Sequence, residues 1–213
     1  MTLTALARPL LALALGAFLI VPAHADTAIF AGGCFWCVEK DMDHIKGVTR
    51  TTSGYAGGTA DNPSYESHEG YTESVEVEFD PAVVSYDELV RRFLRTIDVT
   101  DGDGQFCDRG DSYVPAIFYQ TPEQKAVAER AVADAAKALG ETLAVPVRPH
   151  TRFAEAEAYH QDYYMGEGLV LTRFGLIRQS LAYQRYREGC GRDVCLKQVW
   201  GSQFFTEGRC NQS

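Results

Sequence analysis

The chain is short of basic charge: 20 Lys and Arg stand against 29 Asp and Glu, a formal charge of −9. Phosphate capture needs a basic surface, so broad electrostatic binding of nucleic acid is excluded. No internal repeat and no low-complexity tract interrupts the 213 residues, which excludes solenoids and suits one ordinary globular domain. Charged residues make up only 23% and aromatics 11%, too rich in core formers for a disordered chain. Six cysteines are too few for a disulfide-dense scaffold of this length. They are also many for a protein without sulfur chemistry.

Long hydrophobic runs are missing too, apart from one at the start. Arg8 precedes a twelve-residue apolar run, 10–21, and Ala23-His24-Ala25 gives the small-x-small pattern of a signal-peptidase site. Twelve residues fall short of the roughly 20 that span a bilayer as a helix. Residues 1–25 are therefore expected to be a cleaved signal peptide, with no stable membrane insertion afterwards. Cleavage would leave 188 residues (213 less 25), and loss of Arg8 takes the charge to −10. Export, to a bacterial periplasm, would put all six thiols in an oxidising compartment.

The mature segment, 26–213, reads as a single domain. Strands are expected at 26–31, 48–55, 73–79, 114–119 and 143–147. Helices are expected from 34 to about 45, after the Ser85/Glu88 capping signal, and from Pro122 to the Gly140 stop. The β-α-β-β-α-β order of the first six of these elements is that of a split βαβ, ferredoxin-like two-layer α/β sandwich. Beyond residue 152 only 154–165 reads as helix. The cysteine-bearing segment from about 186 reads as a long, mobile coil tail.

Two positions carry chemistry. Cys34 follows Gly32-Gly33 at a helix start, where free N–H groups and the dipole favour thiolate and lower its pKa. Phe35 and Trp36 beside it are able to cup a small apolar group. The same residues are equally compatible with a buried core thiol among core aromatics. Glu73 shares its strand face with Val75, Val77 and Phe79. Burial there would raise its pKa and keep it protonated, as a general acid requires, unless fraying leaves it in solvent.

Several motifs resemble peptide methionine sulfoxide reductase A. They are Gly33-Cys34-Phe35-Trp36-Cys37-Val38-Glu39, Gly54-Tyr55-Ala56-Gly57-Gly58, Asn62-Pro63-Ser64-Tyr65, Glu73-Ser74-Val75 with Asp80-Pro81, Asp108 with Tyr113, and Ala158-Tyr159-His160-Gln161. The tail Cys190-Gly191-Arg192-Asp193, with Leu196 and Trp200-Gly201, resembles one bacterial branch. The resemblance implies reduction of methionine S-sulfoxide, free or in proteins, by a monomeric enzyme without cofactor. Cys34 would be the nucleophile and Phe35 and Trp36 the S-methyl cage. Glu73 would be the acid, helped by Tyr65 and Tyr113, with Asp108 ordering the polar side. The Phe106-Cys107 that precedes Asp108 departs from the commoner family pattern. Cys190 would resolve the resulting sulfenic acid, with Cys195 as a further relay, and a thioredoxin-like external dithiol would regenerate the enzyme. Cys37, Cys107 and Cys210 gain no role, although Cys107 and Cys210 are free to bridge. His160 reads as a packing residue.

Three other readings compete. Cys34-x-x-Cys37 after a strand resembles a thioredoxin-like disulfide oxidoreductase, but Phe-Trp between the cysteines and the helix order downstream argue against it. Cys34, Cys37, Cys190 and Cys195 could form a structural zinc site, although the second pair is spaced C-x₄-C. A non-enzymatic secreted binding module is the third.

Overall fold

The computed structural model describes residues 25–203, so the expected signal segment up to residue 24 and Cys210 lie outside the described residues. The alternating apolar residues of β1 (Asp26–Ala31) divide between two faces of a six-stranded sheet. Ala28 and Phe30 enter the main core; Ile29 and Ala31 enter a smaller cluster on the other face with Ala56, Ala116, Phe118 and Phe153. The chain continues through α1 (Phe35–Asp43), β2 (Val48–Ala56), β3 (Thr72–Phe79), α2 (Tyr86–Leu94), β4 (Ala116–Tyr119), α3 (Pro122–Leu139), β5 (Val147–Pro149) and β6 (Phe153–Glu155). Sheet order is β5-β4-β1-β3-β2-β6. Its inner four strands, β4-β1-β3-β2, pair antiparallel, which is the split βαβ arrangement expected. β5 adds in parallel beside β4, and β6 adds antiparallel beside β2.

Helices α2 and α3 form in place because their N-termini are capped by side chains and each buries apolar residues. Ser85 Oγ accepts from Glu88 N at 3.2 Å, while the Glu88 carboxylate turns away to Arg92. Only half of the capping box is therefore made. Leu89, Val90, Phe93 and Leu94 are fully buried beneath it, and Phe93 stacks on Phe30 with centroids 4.6 Å apart. Thr121 caps α3 at Gln124 N, Pro122 opens it, and Gly140 closes it at φ +71°.

Three expectations need correction. Residues 154–165 are not a helix: β6 is followed by two 3₁₀ turns, Ala158–His160 and Tyr163–Met165, with Asp162 between them at φ +53°. The Gln161 side chain holds this path by bonding both Ser53 N (2.8 Å) and Ser53 O (2.9 Å). The edge strand lies at Val147–Pro149, at the end of the expected 143–147, because Pro146 O accepts from Ile117 N. The segment beyond 186 is not coil. A hairpin of β7 (Leu169–Thr172) and β8 (Gly175–Arg178) leads into α4 (Gln179–Gly189) and α5 (Arg192–Trp200). Both helices are docked, with Tyr183, Arg187, Arg192, Leu196 and Trp200 buried.

Candidate active site

The turn from β1 into α1 is built around a glycine. Gly33 lies at φ +82°, and a Cβ there would come within 2.5 Å of Gln105 Cβ, so only glycine fits. Gln105 is locked by Asp98 and Asp101: Nε2 donates to Asp98 O (2.9 Å) and Oε1 accepts from Asp98 N (2.8 Å). Arg192 of α5 braces the same turn by donating to Gly32 O (3.2 Å) and Thr96 O (2.8 Å). Cys34 therefore stands as the N-cap of α1, at the position the sequence predicts.

Its surroundings differ from that prediction. Cys34 is 6% exposed and Cys37, one turn on, 1%. Burial raises the Cys34 thiol well above its ordinary value, and the neighbouring sulfur and the Glu73 and Asp108 carboxylates add to that. The expected lowering falls on Cys37. Burial alone would raise it, but the hydrogen bond with Cys34 and the Arg192 and Arg187 guanidinium charges bring it down to about 6. The two sulfurs hydrogen-bond to each other, and the Arg192 and Arg187 guanidinium charges favour the charged form on Cys37.

Glu73 is 2% exposed on β3 and accepts from Phe35 N at 3.0 Å. Burial pushes its carboxyl up to about 8; the Phe35 N–H and the Tyr113 hydroxyl oppose the rise, and Asp108 adds to it. Cys34, Phe35, Trp36, Tyr65, Glu73, Asp108 and Tyr113 line one cavity of about 80 Å³. All seven pocket positions singled out from the sequence are therefore brought together. Tyr65 reaches the rim from the loop after Asn62, and its N–H donates to Glu157 Oε1 at 2.9 Å. Asp108 and Tyr113 come from a tight hairpin and a following 3₁₀ turn, where Gly104–Gln105 pairs with Asp108–Arg109. Burial raises Asp108, against the opposing pull of Tyr186 and Arg192.

The eighth wall residue, Tyr186, was missed. Its hydroxyl donates to Asp108 Oδ2, and its ring meets Trp36 edge-on. Tyr163, also missed, stacks on Trp36 at 3.8 Å. His160 packs among Phe35, Trp36 and Tyr65 and is held neutral, since burial lowers its pKa to about 4.

The remaining sulfurs are arranged otherwise than expected. Cys107 is joined to Cys190, with Cα atoms 5.2 Å apart, which leaves neither of them a zinc thiolate and uses Cys107 without Cys210. Cys34, Cys37 and Cys195 are free thiols. Cys195 faces Asp98, 3.8 Å from its carboxylate, and lines neither the active-site cavity nor its larger neighbour. Among the described residues no cluster of three or more His, Cys, Asp or Glu is placed to hold a metal ion.

A hydrogen-bonded cysteine pair beside a buried carboxyl with a raised pKa, in an aromatic-walled pocket, defines a thiol-based oxidoreductase for a small, apolar, oxygen-bearing group. Residues 26–188 match the family model of peptide methionine sulfoxide reductase. The chain is 46% identical to peptide methionine sulfoxide reductase MsrA 2 of Rhizobium meliloti, over 88% of this chain and 91% of that protein. It is also 46% identical to MsrA 2 of Caulobacter vibrioides, over 83% and 86% of the two chains. Methionine sulfoxide reductase A of Corynebacterium diphtheriae superposes with a TM-score of 0.59 at 31% identity, covering 67% of this chain and 74% of that one. The chain belongs to the peptide methionine sulfoxide reductase A family, and its reaction is the reduction of methionine sulfoxide.

Proposed function

We propose that this chain reduces the S-epimer of methionine sulfoxide, free or in proteins, with Cys34 as nucleophile and Glu73 as general acid. The observation that carries the assignment is a buried carboxyl with a raised pKa and a buried thiol, hydrogen-bonded to a second cysteine, on one cavity of about 80 Å³ walled by Phe35 and Trp36. A cavity that small accepts a methyl sulfoxide group while the rest of the methionine stays outside. Cys37 takes the proton of Cys34 as its sulfur attacks the sulfoxide sulfur. The sulfoxide oxygen receives the proton of Glu73, with Tyr65 and Tyr113 donating to it and Asp108 ordering their side of the pocket. Transfer of that oxygen to Cys34 releases methionine and leaves a sulfenic acid. A second thiol condenses with it, with loss of water, and Cys190 is the candidate the family pattern supplies. A thioredoxin-like dithiol restores the thiols by exchange.

The signal-like first 25 residues support export, and we place the enzyme in the periplasm as a monomer served by a local thioredoxin-like protein. The test uses reduced protein and the separated epimers of N-acetylmethionine sulfoxide. Only the S-epimer should be consumed, and Cys34→Ser should abolish the reaction. Consumption of the R-epimer, or turnover by Cys34→Ser, would sink the assignment.

A further inference from the structure

We propose that the Cys107–Cys190 disulfide is the redox-active outlet of the cycle, with Cys107 the sulfur that the external dithiol attacks. The inference rests on the reading of Cys34 as nucleophile and adds a role that the family pattern gives to no residue at position 107. Three observations support it.

The first is geography. Cys34 and Cys37 are buried at 6% and 1% exposure, so a dithiol protein cannot reach an oxidised form of either. Cys107, by contrast, is exposed and Cys190 half-buried. The second is proximity to the chemistry. Cys107 immediately precedes Asp108 of the pocket, at the tip of the tight hairpin where Phe106 takes φ +54°. Cys190 is the C-cap of α4, one turn beyond Tyr186. The disulfide borders a cavity of about 440 Å³ that shares Trp36 and Tyr186 with the active-site cavity, so a purely structural bridge would have been set beside the one place where sulfur chemistry occurs. The third is the rival's position. Cys195, the relay expected from the sequence, borders neither cavity, and burial and the Asp98 carboxylate raise its thiol, which makes it a poor attacking group.

The steps balance. The Cys190 thiol condenses with the Cys34 sulfenic acid; an S–S bond forms and water leaves. The Cys107 thiolate then attacks Cys190 Sγ, the Cys107–Cys190 bond forms, the Cys34–Cys190 bond breaks, and Cys34 departs as thiolate to recover its shared proton with Cys37. Gly189 and Gly191, the latter at φ +66°, flank Cys190 and supply the pivot between its two partners. An external dithiol finally attacks Cys107, becomes a disulfide itself, and returns two electrons and two protons to the pair.

The test begins with full-length protein reduced by dithiothreitol, freed of reductant, given one equivalent of S-epimer N-acetylmethionine sulfoxide, and mapped by mass spectrometry. About one methionine should be released and the Cys107–Cys190 peptide pair should form in similar yield. Reduced bacterial thioredoxin should then break that bond, and a thioredoxin lacking its resolving cysteine should be trapped on Cys107. Thioredoxin-supported turnover of Cys107→Ser should fall at least tenfold while its melting temperature stays near wild type. Methionine release with a Cys34–Cys37 or Cys190–Cys195 bond instead, or a Cys107–Cys190 bond that thioredoxin leaves intact, would overturn the outlet and leave the nucleophile standing. Failure to release methionine would instead strike the reading of Cys34. The wild-type mapping decides the matter even if Cys107→Ser does not fold.

Discussion

Replacing Glu73 by Gln keeps the size and the Phe35 N–H partner of the side chain and removes only its proton. With its carboxyl at about 8, Glu73 is about nine-tenths protonated at pH 7 and loses tenfold of its acid form per pH unit well above 8. The shared thiol charge, placed on Cys37 at about 6, disappears as pH falls below that value. The rate of the first methionine release should therefore form a bell with limbs near 6 and 8, the macroscopic values of the coupled site. Positioned proton transfer is worth about 10²–10⁴ in rate, or ~2.7–5.4 kcal/mol of barrier at about 1.36 kcal/mol per decade. Single-turnover quench-flow on Glu73→Gln should show that loss together with disappearance of the alkaline limb, the acid limb remaining. Linkage gives a second readout. Between its ordinary 4.5 and about 8 the folded carboxyl holds a proton that the unfolded chain has released. Its contribution to stability is therefore full below pH 4.5 and lost as pH rises through 8. Glu73→Gln should accordingly lose less stability than wild type between pH 7 and 9 in urea titrations. A full rate, or an alkaline limb that survives the substitution, refutes Glu73 as the acid.

Two further substitutions probe what holds the pocket. Asp41 is fully buried on α1 and binds Arg187 of α4 at 3.1 Å, so Asp41→Asn leaves a buried guanidinium with Asp193 as its remaining carboxylate. Breaking such a pair costs about 3–5 kcal/mol, a melting-temperature drop of about 6–20 °C at this size; calorimetry showing no shift would mean that the network does not anchor α4. Tyr186→Phe deletes the donor to Asp108 and should cost about 1.5–3 kcal/mol of unfolding free energy. Unchanged urea stability would show that water replaces the tyrosine hydroxyl without loss.

What was legible in the sequence was local. Gly33 announced a turn because only glycine takes φ +82° beside Gln105, and period-2 alternation put Glu73 on the buried face with Val75, Val77 and Phe79. The tail was not legible as helix because α4 and α5 are short, broken by Gly189-Cys190-Gly191, and stable only once docked. Their anchors are distant in sequence: Arg187 to Asp41, Arg192 to Thr96, and Trp200 Nε1 to Ile97 O at 3.2 Å. A helical signal was present, since Tyr183, Tyr186 or Arg187, and Cys190 recur at three- or four-residue spacing, and following it would have found Tyr186. Residues 154–165 misled in the opposite direction. Their apolar spacing suits a helix, yet Gln161 spends its side chain on the Ser53 backbone 108 residues away, which fixes an irregular path.

The thiol pair shows why a correct local rule does not by itself lower the Cys34 thiol. The helix start does favour a thiolate, but the dipole is worth about 0.3–1 kcal/mol at an exposed end, and burying a charge without a partner costs more than that. Burial and the neighbouring sulfur raise Cys34, with the Asp108 carboxylate adding to the rise, while Cys37 has Arg192 and Arg187 to favour its charge. Both arginines belong to α4 and α5, the very elements the sequence left as coil. Docking of those helices therefore does more than close the core: it supplies the positive charge that holds the shared thiolate beside Cys34. In the proposed mechanism Cys37, which has no role when the sequence is read alone, takes the proton of Cys34.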